Sequence, residues 1–170
     1  VSIIFRPLAL SDLSTYPALR LEALKLYPEA FSADYATQAQ YPPSYWEGRV
    51  RGAIDNPQQI IYVAAAGQEL VGMTGIVRGD SPKNQHSALI ISVYVRSSHR
   101  RQHIGEKLLQ ACLDWARDQG VRIVKLGVSV SNIPALRCYE RCGFTQYGCE
   151  PQALYVGGKY LDECLMALAL

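Results

Sequence analysis

No stretch of this 170-residue chain stays apolar for the length a membrane span needs. The opening VSIIFRPLALSD has only a short apolar run, broken by Arg6 and Pro7, without the charged leader and longer apolar centre of a signal peptide. No Asn-x-Ser/Thr acceptor occurs, because Asn56, Asn84 and Asn132 each lack Ser or Thr two positions on. These absences make a cytoplasmic protein without membrane contact the expectation. Charge of one sign is also missing. Seventeen Lys and Arg against fifteen Asp and Glu leave +2, and no dense basic run appears, so nucleic acid is not an expected partner. There is no CxxC pair, and the cysteines (Cys112, Cys138, Cys142, Cys149, Cys164) are odd in number. Free thiols and no metal are expected; Cys138 and Cys142, four apart on a helix, share one face as small packing groups.

The familiar phosphate and nucleophile signatures are absent as well. No G-K-[ST] exists, no G-x-G-x-x-G follows an early strand, and Gly127-Val128-Ser129 lacks the second glycine of a hydrolase elbow. What is present is ALIISVYVRSSHRRQHIGEKLLQACLDWARDQG, residues 88–120. A β-branched run ends in a basic turn, which feeds an amphipathic helix. The first N–H groups of a helix lack partners and its dipole favours negative charge, so this is a way to hold phosphate. Arg96, Arg100, Arg101 and Lys107 stand out there against a neutral background.

Periodicity and turn residues place the rest. Ile3 to Pro7 reads as a strand. Ser11 and Asp12 are set to cap a helix carrying Leu13, Pro17, Leu21 and Leu24, which Tyr27-Pro28 ends. A second helix is expected over Tyr45 to Arg51, and Glu29 to Tyr41 shows no clear period. Gln59–Ala65 and Glu69–Val77 form a hairpin through Ala66-Gly67-Gln68. Strand Ala88–Val95, helix 104–119 and strand Val121–Val130 make a right-handed crossover between parallel strands. A short helix from Ile133 to Cys142 follows, with Gly143 just past its end, then strands Phe144–Cys149 and Lys159–Leu168. The fold class is α/β, one domain over 1–170, with a mixed and mostly antiparallel sheet.

Two segments carry a family resemblance. Arg100-Arg101-Gln102-His103-Ile104-Gly105 occupies the six places of Q/R-x-x-G-x-G/A, and the surrounding VRSSHRRQHIGEKLL resembles motif A of the GNAT superfamily, the GCN5-related N-acetyltransferases. Asn132, Ala135, Tyr139, Glu140, Gly143 and Phe144 fall on that family's N-x-x-A-x-x-x-Y-E-x-x-G-F pattern. KYLDECLMAL and RLEALKLYPEAF resemble its last strand and opening helices.

The resemblance implies an N-acetyltransferase using acetyl-CoA, with a central parallel strand pair that splays at its C-terminal ends. The pantetheine arm would pair with backbone near Val93 and Val95, beside Asn132 and Ala135. The pyrophosphate would rest on the amides of Gln102, His103, Ile104, Gly105 and Glu106, aided by Arg100 and Arg101. Tyr139 would protonate the leaving thiolate, and Glu22 is the candidate base; its alternative is a surface carboxylate paired with Arg20 or Lys25. Asn132 either contacts the cofactor or caps its helix. His103 stands where the family has glycine: its N–H survives in the cradle provided its backbone is helical or β, and its imidazole faces either phosphate or solvent. The acceptor is a small-molecule amine or a protein or peptide amine, in a pocket drawn from Tyr27, Phe31, Tyr41, Tyr155 and Tyr160. A homodimer is implied only by the family. The alternative function is a non-catalytic acyl-CoA-binding sensor or interaction domain of the same fold.

Overall fold

The computed structural model describes residues 2–170. Among them, seven strands form one sheet in the order β1-β2-β3-β4-β5-β7-β6. The strands are β1 (Ile3–Pro7), β2 (Gln59–Ala66), β3 (Glu69–Arg78), β4 (Ser87–Val95), β5 (Ile123–Ser129), β6 (Thr145–Val156) and β7 (Lys159–Ala169). Neighbours are antiparallel except β4 and β5, which run parallel as the crossover required. The helices are α1 (Tyr16–Leu26), α2 (Tyr35–Gln38), α3 (Pro43–Asp55), α4 (Ile104–Asp118) and α5 (Ile133–Arg141). None of them is long and apolar enough to cross a membrane.

Helices cover both faces, which is why the inner strands read as continuous apolar runs rather than alternating ones. In β2 the two faces separate cleanly by the period of two. Ile61, Val63 and Ala65 pack with Tyr16, Leu19 and Leu24 of α1 and Val50 and Ala53 of α3. On the other face Ala64 packs with Ile104 and Leu108 of α4. The remaining apolar stripe of α4 (Leu109, Cys112, Leu113, Ala116) joins Val124 and Val128 of β5 and Tyr139 of α5. Glycine ends both helices as read from sequence. Gly120 has φ +74° and Val121 N–H reaches back to Ala116 O at 2.9 Å. Gly143 has φ +96° and Phe144 N–H reaches Tyr139 O at 3.0 Å.

Three expectations are corrected. The first helix begins at Tyr16, because Asp12 is occupied elsewhere: its carboxylate takes two bonds from Arg6, at 2.7 and 2.8 Å, and one from Ala9 N–H at 2.9 Å. The second full-length helix, α3, runs Pro43–Asp55 rather than Tyr45–Arg51, with proline tolerated in its first turn. β6 continues past Cys149 to Val156. Pro151 interrupts the ladder as a bulge between Glu150 and Leu154 instead of ending the strand.

Candidate functional site

β4 and β5 pair only at Ser87–Ile123, Ala88–Val124 and Leu89–Lys125, then part. Residues 90–95 and 126–129 therefore face each other across a gap with strand edges that do not pair with one another. The gap opens into a cleft of about 560 Å³ lined by Ile90 to Val93, Leu126 to Ser129, Asn132, Ala135 and Tyr139. Phe31, Arg20 and Arg49 wall it on one side, and Glu150, Glu163 and Leu165 on another.

A bulge in β4 shapes this cleft. Met73 pairs with Tyr94 and Gly75 with Ile91, so Ser92 and Val93 together stand opposite Thr74. Ser92 has φ +57°, a backbone that L-residues resist. It is held by Arg20, whose guanidinium donates to Ser92 Oγ at 3.0 Å.

α5 presents Asn132, Ala135 and Tyr139 to the cleft at spacings of three and four, one helix face. Asn132 caps the helix, accepting from Ala135 N–H at 3.3 Å. The Tyr139 ring meets Phe144 edge-on at 6.2 Å. Burial, and then the nearby thiols of Cys138 and Cys142, push the Tyr139 phenol well above its ordinary pKa, so it stays protonated. Opposite, Glu150 and Glu163 face each other across β6 and β7. Burial, then the Glu150 charge, raises the Glu163 carboxyl above the usual carboxylate range.

The loop into α4 supplies the second half of the site. Arg101 has φ +62° and His103 φ +57°, both left-handed. The condition on His103 thus fails as read from sequence: its backbone is neither helical nor β but takes the conformation glycine would take. Left-handed residues turn successive N–H groups to one side, the geometry of an anion-binding concavity. The first bond closing α4 is Lys107 N–H to His103 O at 3.0 Å, and among the described residues the N–H groups of Gln102 to Glu106 find no protein acceptor. The imidazole of His103 lies in solvent, with Nδ1 2.9 Å from a Glu106 oxygen. Arg141 holds the other oxygen of Glu106 at 2.6 Å, and this pairing keeps the carboxyl below its ordinary pKa. A Cβ on Gly105 would meet Cys138 Sγ at 3.6 Å and Val95 Cγ2 at 3.8 Å, ordinary contacts, so packing does not demand glycine there. These amides fit a pyrophosphate, and Gly105 fits its close approach.

The expected residues do not all meet. Val93, Asn132, Ala135, Tyr139 and Phe31 line the cleft. Tyr155 lines a neighbouring hollow with Phe31 and Tyr35, and Tyr160 stacks on Tyr155 at 4.9 Å on the exposed hairpin. Tyr27 is taken by Tyr94 and by Arg100, whose guanidinium lies 4.6 Å from its ring. Tyr41 stacks on Tyr45 at 4.1 Å, away from the cleft. Val95 O is occupied by Arg100 Nε at 3.2 Å. Glu22, the candidate base, is engaged outside the cleft. It accepts from Tyr94 Oη at 2.8 Å and from Arg96 at 3.1 Å on both oxygens, and it does not line the cleft. Its partner is Arg96, neither Arg20 nor Lys25. Sequence reasoning missed Arg20, Arg49, Glu150 and Glu163. A signal existed for Arg20, which shares the buried face of α1 with Tyr16, Ala23 and Leu24. One existed for Glu163 too, two residues from Leu165 on the same strand face.

The pattern describing the acetyltransferase (GNAT) family matches residues 20–144. Human N-acetyltransferase 8 is 30% identical over 139 residues, covering 81% of this chain and 58% of that protein. The L-methionine sulfoximine/L-methionine sulfone acetyltransferase of Pseudomonas aeruginosa is 35% identical over 79 residues, 46% of each chain. The chain thus spans about half the length of these curated relatives. Among solved structures, yncA of Salmonella typhimurium, a putative acetyltransferase with its cofactor acetyl-CoA, superimposes with a TM-score of 0.85 at 22% identity, covering 100% of this chain and 95% of that one.

Proposed function

We propose that this chain, which belongs to the acetyltransferase (GNAT) family, is an N-acetyltransferase that moves the acetyl group of acetyl-CoA to a primary amine by direct attack. The observation that carries this reading is the coincidence of three features. The strand pair parts after Leu89 and Lys125, the amides of Gln102 to Glu106 lack acceptors, and Tyr139 lies in the cleft between them.

Each feature answers a chemical need. The phosphates sit on the free amides of Gln102, His103, Ile104, Gly105 and Glu106, and the exposed Arg101 adds charge beside them. Arg100 acts indirectly, since Tyr27 and Val95 O already hold it. The pantetheine arm lies between the parted strands, taking the place of a missing strand against the β4 edge near Val93, beside Asn132 and Ala135 of the α5 end. An alkylammonium must lose its proton before it attacks, and Glu163 is the carboxylate placed to accept it, its affinity for protons raised by burial. The amine nitrogen then bonds to the thioester carbon. The developing oxyanion takes a hydrogen bond from backbone at the Ser92–Val93 bulge. As the C–S bond breaks, the leaving thiolate takes the Tyr139 proton, the nitrogen loses its second proton to solvent to give the neutral amide, and solvent reprotonates the Tyr139 phenolate.

The test pairs binding with turnover. Calorimetry is expected to show acetyl-CoA binding, and an amine screen followed by free CoA thiol to show transfer. Tyr139→Phe should lower kcat by roughly 10²-fold or more, the scale of general-acid catalysis, at unchanged acetyl-CoA affinity. Absence of acetyl-CoA binding overturns the reading. Binding with no amine acetylated returns the chain to the sensor alternative.

A further inference from the structure

Two guanidinium groups wall the cleft without a carboxylate to neutralise them. Arg20 is only 6% exposed. It donates to Ser92 Oγ at 3.0 Å and lies 5.2 Å from the centre of the Phe31 ring, but its Nε is buried with no hydrogen-bond partner. Arg49, half-buried on α3, lines the same cleft and donates Nε to Tyr16 Oη at 3.3 Å. Among the described residues neither enters an ion pair. Buried charges are otherwise paired, and here burial, then the proximity of Arg49, works against the Arg20 cation. Such an arrangement is completed by an anion brought from outside.

The placement says which anion. The phosphate cradle belongs to the start of α4, which packs on one sheet face, whereas Arg20 and Arg49 come from α1 and α3 on the other. Arg20 therefore does not serve the phosphates. It grips Ser92, the neighbour of Val93, so its free N–H groups lie beside the bulge where the thioester is read to sit. An anion bound there falls on the acceptor's side of the bulge rather than on the phosphate side. Guanidinium forks match a planar carboxylate in shape and charge. Glu150 and Glu163 line the same cleft and suit an ammonium, so the cleft offers both signs of charge to one ligand.

We propose that Arg20 and Arg49 form a carboxylate clamp and that the acceptor is a free α-amino acid, its amine turned toward Glu163. This rests on the N-acetyltransferase reading above. It excludes simple alkylamines, polyamines and protein lysines as good acceptors, because none carries a carboxylate next to its amine.

The test titrates the protein, saturated with CoA to prevent turnover, with each of the common L-α-amino acids and with its carboxamide. At least one acid should bind tenfold or more tightly than its amide. Arg49→Gln should bring that ratio close to one while leaving CoA affinity unchanged, and Arg49→Lys should recover only part of it. Arg20→Gln should do the same where melting shows it folded; Arg49→Gln alone decides the matter where it is not. Acids and amides binding alike, or a preference that survives Arg49→Gln, overturns the clamp. Failure to bind CoA sinks the proposed reaction itself, whereas acetylation of alkylamines with no preference for a carboxylate leaves that reaction standing and removes only the clamp.

Discussion

Replacing His103 tests whether the loop into α4 holds a left-handed backbone at the cost of stability. At φ +57° and ψ +20° an L-residue pays about 1–2 kcal/mol relative to the right-handed region. Glycine avoids this but loses roughly 0.5–1 kcal/mol more conformational entropy on folding than other residues do. The imidazole's contact with Glu106 is solvent-exposed, worth about 0.2–1 kcal/mol at most, and Glu106 keeps Arg141 when it is lost. His103→Ala retains the strain and loses the contact; His103→Gly loses both. The difference between the two variants therefore isolates the backbone, and glycine should be the more stable by about 0.5–1 kcal/mol. For a domain of this size that is a Tm difference of roughly 1–4 °C, readable by thermal denaturation at fixed pH. Acetyl-CoA affinity should be similar in both, because each keeps the residue's N–H. His103→Pro, which has no N–H and cannot reach positive φ, should lower affinity at least tenfold. Alanine matching or exceeding glycine in stability would refute the left-handed assignment and, with it, the concave array of amides.

Gly105→Ala should leave stability unchanged or raise it by up to about 1 kcal/mol, since alanine is the better helix former and its Cβ finds room, while acetyl-CoA affinity measured by calorimetry falls. Glu163→Gln should lower kcat and remove the acidic limb of its pH profile, where protonation of a raised carboxyl stops it from accepting the amine proton. The same change should stabilise the free protein at neutral pH. Folding raises the Glu163 pKa, so the folded chain binds more protons between the unfolded and folded values, and stability present below the unfolded pKa is lost as pH rises through the folded one. Relief of the Glu150–Glu163 cross-strand repulsion sets the gain at roughly 0.2–1 kcal/mol in thermal melts at pH 7. Glu22→Gln should change kcat less than threefold; a loss as deep as that of Glu163→Gln would return the base role to Glu22.

What the sequence made legible follows from how local each signal is. The crossover, the glycine-terminated helices and the Asn132 cap depend on neighbours within a few residues, so pattern and turn chemistry reach them directly. The splay of β4 from β5 and the place of Tyr139 came through family resemblance, and the register confirms the splay by stopping at Leu89 and Lys125. Other residues have a different property, that a distant partner decides their state. Glu22, read as a base or as a carboxylate paired with Arg20 or Lys25, is engaged by Tyr94 and Arg96, more than seventy residues away. Tyr27, read as a pocket aromatic, is covered by Arg100 from the loop before α4. Arg20 shows the opposite case. Its partner Ser92 is 72 residues on, and the bulge that brings it there has no sequence signature comparable to a glycine. Yet a charge on the apolar stripe of an amphipathic helix is itself a local conflict, and a fold retains such a conflict where function repays it. Arg20, a charge that breaks the burial pattern of α1, is accordingly the residue on which the proposed substrate contact rests.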